Sequence, residues 1–277
     1  MTEWNIFQVL AIGATEGVMT EPKAKLALVT GASSGIGFEL ARCFAKDGHG
    51  LIVAAKDGEK LNRAAEALRM AGAPIVEPVA VDLSKSDGPA KLFQAVHKLG
   101  AQPEFLVNNA GAGVFGDFAR QTDLKDELDM IQLNLISVVQ LTKLFTRAMI
   151  ERGFGRILIT SSVTALTSSP NLLVYASTKA FLHTFAEGLG NELKDTGVTV
   201  TALMPDATET NFFKAAGMAE TGIGSSKKAD PAEVAAMGYA AMMKGKDHVV
   251  APPKSKLTAA LSHVLPESFV AGKAKAQ

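Results

Sequence analysis

Short apolar runs alternate with amphipathic helical segments along most of this chain. The runs that read as strands lie at residues 26–29, 51–55, 76–81, 105–107, 156–160, 198–204 and 249–251. Between them, apolar residues recur at helical spacing. Near-continuous apolar strands separated by helices are typical of a parallel sheet covered on both faces. The pattern therefore predicts a doubly wound α/β fold, in which ligands bind outside the carboxyl ends of the strands.

The chain length of 277 residues fits a single α/β domain. We expect a flexible N-terminal extension at residues 1–22, one folded domain at 23–255, and a C-terminal helix or tail at 256–277. The C-terminal segment carries apolar residues at helical spacing, which predicts a helix packed on the body or on a second subunit.

Charge and cysteine content exclude several classes of function. Lys plus Arg number 28 and Asp plus Glu number 28, so no net field attracts nucleic acid or anionic membranes. The apolar run at 6–14 is far shorter than a membrane span, and no basic region precedes it, so we predict neither signal nor membrane anchor. The single Cys43 excludes an intrachain disulfide framework and favours a cytoplasmic location.

A glycine-rich turn follows the first apolar run and opens the first helix. It reads Thr30-Gly31-Ala32-Ser33-Ser34-Gly35-Ile36-Gly37. Glycines allow close backbone approach, and a helix N-terminus attracts a pyrophosphate, so the turn predicts a dinucleotide site. The same residues contain the Gly-x-Ser-x-Gly pattern of a hydrolase nucleophile elbow at Ser33, with His183 and His263 among later candidate partners. Such an elbow normally lies further into the sheet, so a serine hydrolase is the weaker alternative.

Tyr175 and Lys179 lie one helical turn apart, which brings their Cβ atoms within about 5 to 6 Å. A neighbouring ammonium lowers the pKa of a phenol because it favours the phenolate, so the pair can transfer protons. The alternative is an ordinary amphipathic edge with a solvated lysine tip. The pair alone does not distinguish a catalytic site from a solvated helix edge, so the choice depends on the motifs around it.

Further motifs follow the other predicted strands. They are Asp82-Leu83 after the third, Asn108-Asn109-Ala110-Gly111 after the fourth, Ser162 after the fifth, and Pro205 with Thr210 after the sixth. Asn134 lies within a predicted long helix. With the glycine turn and the Tyr-x3-Lys pair, this set resembles the short-chain dehydrogenase/reductase family over residues 25–211. The resemblance implies a single-domain Rossmann fold and an NAD(P)-dependent oxidoreductase that interconverts a carbonyl and an alcohol.

The resemblance also implies roles for individual residues. Tyr175 would be the acid/base, Lys179 would lower its pKa and hold the nicotinamide ribose, Ser162 would bond the substrate oxygen, and Asn134 would hold a water of the proton relay. Ser161 is adjacent, but successive residues point opposite ways and the family spacing selects Ser162. The implied cofactor-binding residues are Gly31, Ser33, Ser34, Gly35, Ile36, Gly37, Lys56, Asp82, Leu83, Asn109, Ala110, Gly111, Tyr175, Lys179, Pro205 and Thr210. No metal is implied.

The end of the second strand bears on the choice of cofactor. An acidic residue there would bond the ribose hydroxyls of NAD, whereas a basic residue accommodates the phosphate of NADP. This chain has Ala55 followed by Lys56, which favours NADP(H), and Ser33 could approach the same phosphate. Asp57 is a nearby carboxylate that favours the opposite choice, so NAD(H) stays open.

By family position, the substrate pocket is lined by the loop after Ser162 and by a substrate loop near 206–228. The residues expected there are Val163, Leu166, Leu172, Leu173, Asp206, Phe212, Phe213 and Met218. This apolar wall predicts a hydrophobic ketone, aldehyde or alcohol. Asp206 replaces the family's usual glycine after Pro205, which puts the local loop geometry in question.

Two long predicted helices, at 124–152 and 175–194, bear on assembly. The family commonly assembles through these helices, so we expect a homodimer or homotetramer. The alternative from another functional class is a non-catalytic dinucleotide-binding regulator of the same fold.

Overall fold

The computed structural model describes residues 25–252. The predicted extension at 1–22 and the predicted C-terminal helix at 256–277 lie outside the described residues. Within the described range the strands are Leu26–Thr30 (β1), Gly50–Ala55 (β2), Val76–Ala80 (β3), Phe105–Asn108 (β4), Gly155–Thr160 (β5), Val198–Pro205 (β6) and His248–Ala251 (β7). All seven apolar runs predicted as strands are confirmed, each with one end shifted by a single residue.

Helices connect the strands, as the sequence predicts. They are Gly35–Lys46 (α1), Gly58–Met70 (α2), Gly88–Lys98 (α3), Leu124–Ile131 (α4), Ser137–Glu151 (α5), Leu173–Glu192 (α6), Phe212–Ala215 (α7), Gly222–Ser225 (α8) and Pro231–Met243 (α9). A π-helical segment, Gln132–Ile136, joins α4 to α5. The single long helix expected at 124–152 is therefore continuous but locally widened, and Asn134 lies inside the widened part.

The seven strands form one parallel sheet in the order β3-β2-β1-β4-β5-β6-β7. The chain starts in the middle at β1, builds outward to β3, and returns to place β4 on the other side of β1. This reversal between β1 and β4 is the switch point at which doubly wound sheets bind ligands. The predicted fold class is confirmed.

Both faces of the sheet are covered. In β1, Ala27 and Val29 pack with α1, α2 and α9, whereas Leu26 and Leu28 pack on the opposite face with α3, α5 and α6. Successive side chains of a strand point to opposite faces, so a strand buried on both must be apolar throughout. This requirement explains why the strands read as continuous apolar runs.

One helical stretch among the described residues, Leu124–Glu151, is long and apolar enough to cross a membrane by length and composition, with a mean hydropathy of 1.2. Its apolar residues Val138, Leu141 and Met149 are buried against the sheet and the neighbouring helices. Packing in the core accounts for these buried residues, whereas Leu128, Ile136, Leu144 and Ile150 of the same stretch are exposed.

Candidate active site

A cavity of about 1020 Å³ opens at the carboxyl ends of the strands. Residues from the turns after β1, β2, β4, β5 and β6 line it, because parallel strands bring their carboxyl ends to one edge of the sheet. Every residue predicted for catalysis or cofactor binding lines this cavity except Asn134, which is buried behind it.

The glycine turn shapes one end of the cavity. Gly31 has φ +68°, and a Cβ there would lie 2.9 Å from the Cα of Ala110, so the position requires glycine for both conformation and space. Helix α1 begins at Gly35, and the Ser34 side chain caps none of its described backbone amides. The first N–H groups of α1 therefore face the cavity edge with their partial positive charge, which suits a pyrophosphate.

Thr30 connects the glycine turn to the loop after β4. Its hydroxyl oxygen accepts hydrogen bonds from the backbone N–H groups of Asn109 (3.0 Å) and Ala110 (3.1 Å), and the hydroxyl donates to the carbonyl of Val107 (3.2 Å). The Asn109 amide donates in return to the carbonyl of Thr30, at 3.1 Å. The two loops thus form one rigid wall of the cavity.

Helix α6 presents Tyr175 to the cavity beside Ser162. The Ser162 side chain lies close enough to the phenol of Tyr175 to favour its phenolate form. Its hydroxyl oxygen accepts the N–H of Thr164 at 3.2 Å. Ser161 points elsewhere, because its hydroxyl donates to the backbone carbonyl of Lys179 at 2.7 Å. Of the two adjacent serines, Ser162 is the one that meets the phenol, as the family spacing indicates.

Burial governs the proton affinities of the pair. It raises the pKa of Tyr175 to about 12, although the Ser162 side chain opposes that rise. It lowers the pKa of Lys179 to about 8, because burial disfavours the ammonium. The Lys179 ammonium donates to the carbonyl of Thr160 at 2.8 Å and lies 5.6 Å from the centre of the Tyr175 ring.

These values differ from the expectation that Lys179 lowers the pKa of Tyr175. Desolvation of the buried phenol dominates, and the ammonium is directed toward the main chain of β5. In this geometry the Ser162 hydroxyl is the group that favours the phenolate.

Asn134 holds the active-site loop against α6. Its side chain has no exposed surface. The Oδ1 atom accepts the N–H of Ala112 at 2.9 Å, and the Nδ2 group donates to the carbonyl of Ala112 at 2.9 Å and to the Thr178 hydroxyl at 3.1 Å. Protein groups occupy both amide donors, so the side chain ties the active-site loop to α6. Its role in holding a relay water stays a prediction. The π-helical turn that carries Asn134 is a feature often found at functional sites.

Lys56 reaches across the far end of the cavity to Asp82, with Nζ and Oδ2 3.0 Å apart. Burial raises the pKa of Asp82, but hydrogen bonds from Ser84 and Lys56 outweigh burial and bring the pKa to about 2. Asp57 instead accepts the backbone N–H of Lys60 at 3.0 Å and so caps α2. The Asp57 carboxylate, the sequence feature that favoured NAD(H), therefore binds the N-terminal end of α2. The Lys56 side chain is 76% exposed.

The predicted substrate residues Val163, Leu172, Asp206, Phe212, Phe213 and Met218 all line the cavity. Leu166 and Leu173 do not, and Leu173 is an exposed residue at the start of α6. Asp206 accepts the N–H of Ala207 at 2.8 Å. Between residues 25 and 252, the only non-glycine residue with a positive φ is Asn171, so the backbone at Asp206 does not require glycine.

Lys228 fastens the substrate loop, a role that sequence reasoning missed. Its side chain is 6% exposed and pairs with Glu209 at 3.4 Å. Its ammonium donates to the carbonyls of Gly224 (2.6 Å) and Ser226 (3.2 Å) and lies 5.1 Å from the centre of the Phe213 ring. A lysine in a polar loop carries no sequence signal for such contacts, because they depend on how the loop folds back.

Comparison with known proteins decides the family. Residues 25–221 match the family model described as short chain dehydrogenase. The chain belongs to the short-chain dehydrogenase family. It is an oxidoreductase of this family, whose general chemistry is the interconversion of carbonyl and alcohol groups.

Three relatives illustrate this membership. The oxidoreductase YvrD of Bacillus subtilis is 34% identical over 188 residues, covering 68% of this chain and 70% of YvrD. The very-long-chain 3-oxoacyl-CoA reductase-A of Danio rerio is 32% identical over 212 residues, covering 75% of this chain and 65% of the reductase. The solved structure of a short-chain dehydrogenase from Sphingobium yanoikuyae in complex with NADPH is 28% identical and superposes with a TM-score of 0.77, covering 85% of this chain and 91% of that chain.

The alternative of a serine hydrolase is wrong. Ser33 lines the cavity as part of the glycine turn, but none of the histidines in residues 25–252 lines it. His183, one of the candidate partners, interacts with Glu187 and His248 instead. His263 lies outside the described residues.

Proposed function

We propose that the protein is an NADP(H)-preferring oxidoreductase that interconverts a carbonyl and an alcohol on a hydrophobic small molecule, with Tyr175 as the acid/base. One observation carries this proposal: Ser162, Tyr175 and Lys179 line the same cavity, with the Ser162 side chain close enough to the phenol to affect its pKa. Ser162 and Tyr175 offer two O–H groups to one substrate oxygen.

The residues of this chain would act on the oxygen of the reacting carbonyl. A bound nicotinamide supplies the hydride. As charge grows on the substrate oxygen, Ser162 and Tyr175 donate hydrogen bonds to it, and Tyr175 transfers its proton. The Ser162 side chain, which opposes the burial-driven rise in the pKa of Tyr175, favours the resulting phenolate. In the alcohol-oxidising direction, the same phenolate accepts the proton back.

The cavity fits a dinucleotide along its length. The uncapped start of α1 and the glycine turn would hold the pyrophosphate, Asp82 and Leu83 would line the adenosine end, and Lys179 would hold the ribose beside the nicotinamide. Pro205 and Thr210 would line the nicotinamide end. The exposed ammonium of Lys56 supports the preference for NADP(H), because it can turn toward a ribose phosphate. The solved structure of the Sphingobium relative is a complex with NADPH.

The substrate is proposed to be apolar near its reacting group. Phe213, Ala216 and Met218 form a small buried cluster against which Leu172 and Phe212 pack, and this cluster closes the cavity beside Tyr175. The Danio rerio relative is named for a very-long-chain 3-oxoacyl-CoA substrate, in which an apolar acyl chain carries the reacting carbonyl. Both observations support an apolar chain beside the reacting carbonyl.

We also propose a homodimer or homotetramer in the cytoplasm. Large apolar side chains are exposed along the long helices: Leu128, Ile136, Leu144 and Ile150 on the stretch from α4 to α5, and Leu173 and Phe181 on α6. Burial of such residues at a subunit contact would be favourable. Sedimentation of the purified protein tests the assembly, and a monomer at micromolar concentration would contradict it.

Replacement of the catalytic tyrosine tests the chemistry. We expect Tyr175→Phe to lower kcat by roughly 10²- to 10⁴-fold while NADPH binding stays measurable, because only the proton donor is lost. The assay is NADPH oxidation with carbonyl compounds graded in size and polarity. Tyr239→Phe is the matched control, since the only other tyrosine bonds Asp47 away from the cavity. A Tyr175→Phe enzyme with near-normal kcat would contradict the proposal.

Two further outcomes separate the alternatives. Tight NADPH binding without turnover on the whole carbonyl panel would support the non-catalytic regulator. For the cofactor, we expect kcat/KM to favour NADPH over NADH, and Lys56→Ala to reduce that preference by about tenfold, the effect of losing about 1.4 kcal/mol of phosphate contact. A wild-type preference for NADH would overturn the assignment of Lys56.

A further inference from the structure

The aromatic ring of Phe212 lies directly over the catalytic tyrosine. The centres of the Phe212 and Tyr175 rings are 5.2 Å apart, with their planes inclined by 48°. Phe212 is the first residue of α7 and lines the cavity. The phenol is therefore covered by a side chain of the substrate loop as well as by the strand ends beneath it.

This contact leaves no room for a substrate between the two rings. Carbon atoms in contact are about 3.5 to 4.0 Å apart, so a layer of substrate atoms between two rings needs a separation of roughly 7 Å. The observed 5.2 Å falls short of that distance. A substituent of the reacting carbonyl can lie over the face of the Tyr175 ring only if the Phe212 ring moves aside.

Gly113 provides the space in which the ring rests. A Cβ at this position would lie 2.6 Å from Cζ and 3.1 Å from Cε2 of Phe212, and 3.3 Å from Cβ of Ala216. Gly113 is not among the glycines with positive φ, so its backbone conformation is open to any residue. Glycine is needed here for space alone, and the space is filled by the far end of the Phe212 side chain.

We propose that Phe212, resting on Gly113, is the residue that limits the size of the carbonyl substituent admitted to Tyr175. This inference rests on the proposed function of Tyr175 and extends it to the substrate. A small substituent requires a small displacement of the ring, whereas a bulky one must push the ring out of its contacts with Tyr175 and with Phe213. The enzyme therefore selects ketones and aldehydes that carry one small substituent on the reacting carbon.

The position of the ring can be tested without turnover. Tetranitromethane nitrates accessible tyrosines, and the chain contains only Tyr175 and Tyr239, so peptide mass spectrometry reads both sites. We expect Phe212→Ala to raise the nitration rate of Tyr175 by about tenfold relative to Tyr239. Gly113→Ala should raise it as well, because the new methyl group displaces the ring.

A double variant tests whether Gly113 acts on Tyr175 through the Phe212 ring. Once Phe212 is removed, a methyl group at 113 has no ring to displace, so Gly113→Ala combined with Phe212→Ala should nitrate at the rate of Phe212→Ala alone. Gly188→Ala is the matched glycine control, because a Cβ there meets nothing within 4 Å. Phe118→Ala is the matched aromatic control, because Phe118 is exposed and lies outside the cavity.

Selectivity is measured with acetophenone and benzophenone as small and bulky ketones and NADPH as cofactor. We expect the ratio of kcat/KM for benzophenone over acetophenone to rise about tenfold or more in Phe212→Ala, in the range that apolar pocket changes produce. Thermal unfolding of each variant checks that the fold is intact.

An unchanged nitration rate of Tyr175 in Phe212→Ala would refute the claim that the Phe212 ring covers Tyr175. If Gly113→Ala still changed the nitration rate in the double variant, the claim that Gly113 acts by making room for this ring would be refuted. An unchanged ketone ratio, or no reduction of either ketone by any variant, would overturn the size selection. Nitration needs no turnover, so it reports on the ring even where the assignment of Tyr175 as the acid/base fails. Full activity of Tyr175→Phe would refute the assignment of Tyr175 as the acid/base, independently of the nitration result.

Discussion

Asn134 offers the sharpest test of how the active-site loop is held in place. Asn134→Ala removes three hydrogen bonds, two to the backbone of Ala112 and one to the Thr178 hydroxyl. Each such bond contributes about 1 kcal/mol net, so the loss is about 3 kcal/mol. For a domain of this size, each kcal/mol lowers Tm by roughly 2 to 4 °C, which gives a drop of roughly 6 to 12 °C.

The same change should reduce activity, because Ala112 belongs to the loop that lines the cavity and Thr178 lies on the helix that carries Tyr175. The assays are thermal unfolding by circular dichroism and kcat under saturating NADPH. Asn191→Ala is the matched control, since this exposed asparagine near the end of α6 makes one bond to the Glu187 carbonyl. Both replacements gain the same helix propensity of alanine, so their difference isolates the buried bonds. A Tm drop in Asn134→Ala no larger than in Asn191→Ala would refute the reasoning.

Two further changes probe the cavity ends. Asp82 has a folded-state pKa of about 2, below its ordinary 3.8, so its contribution to stability is complete above about pH 4 and is lost as pH falls toward 2. Urea unfolding at a series of pH values should therefore show Asp82→Asn less stable than wild type at pH 6, with a difference that shrinks below pH 4; a difference that grows on acidification would contradict this sign. Lys228→Met should raise KM more than it changes kcat, because the substrate loop loses its ties at Gly224, Ser226 and Glu209 and must be ordered on binding. Lys227→Met, at the exposed neighbouring position, is the control, and equal KM values for the two variants would argue against a fastening role.

Much of the fold was predictable because strands that are buried on both faces of a sheet are continuous apolar runs in the sequence. In β1 the residues from Leu26 to Val29 are apolar because both faces are buried, so the position of the strand follows from the sequence. The site was located for a related reason: parallel strands deliver the residues that follow them to one edge. The role of Gly31 in the turn was also predictable, because few residues other than glycine adopt a left-handed backbone conformation before a helix.

The sequence by itself determined the order of the strands' motifs, the family, and the residues gathered around Tyr175. Tertiary structure alone decided what those residues do to one another. Burial, not the neighbouring Lys179, governs the pKa of Tyr175, and Asp57 is committed to a helix cap while Lys56 pairs with Asp82. Desolvation and contacts between residues far apart in the chain arise only after folding, so no local pattern encodes them. The same holds for Phe212, whose position over Tyr175 depends on the empty space left by Gly113.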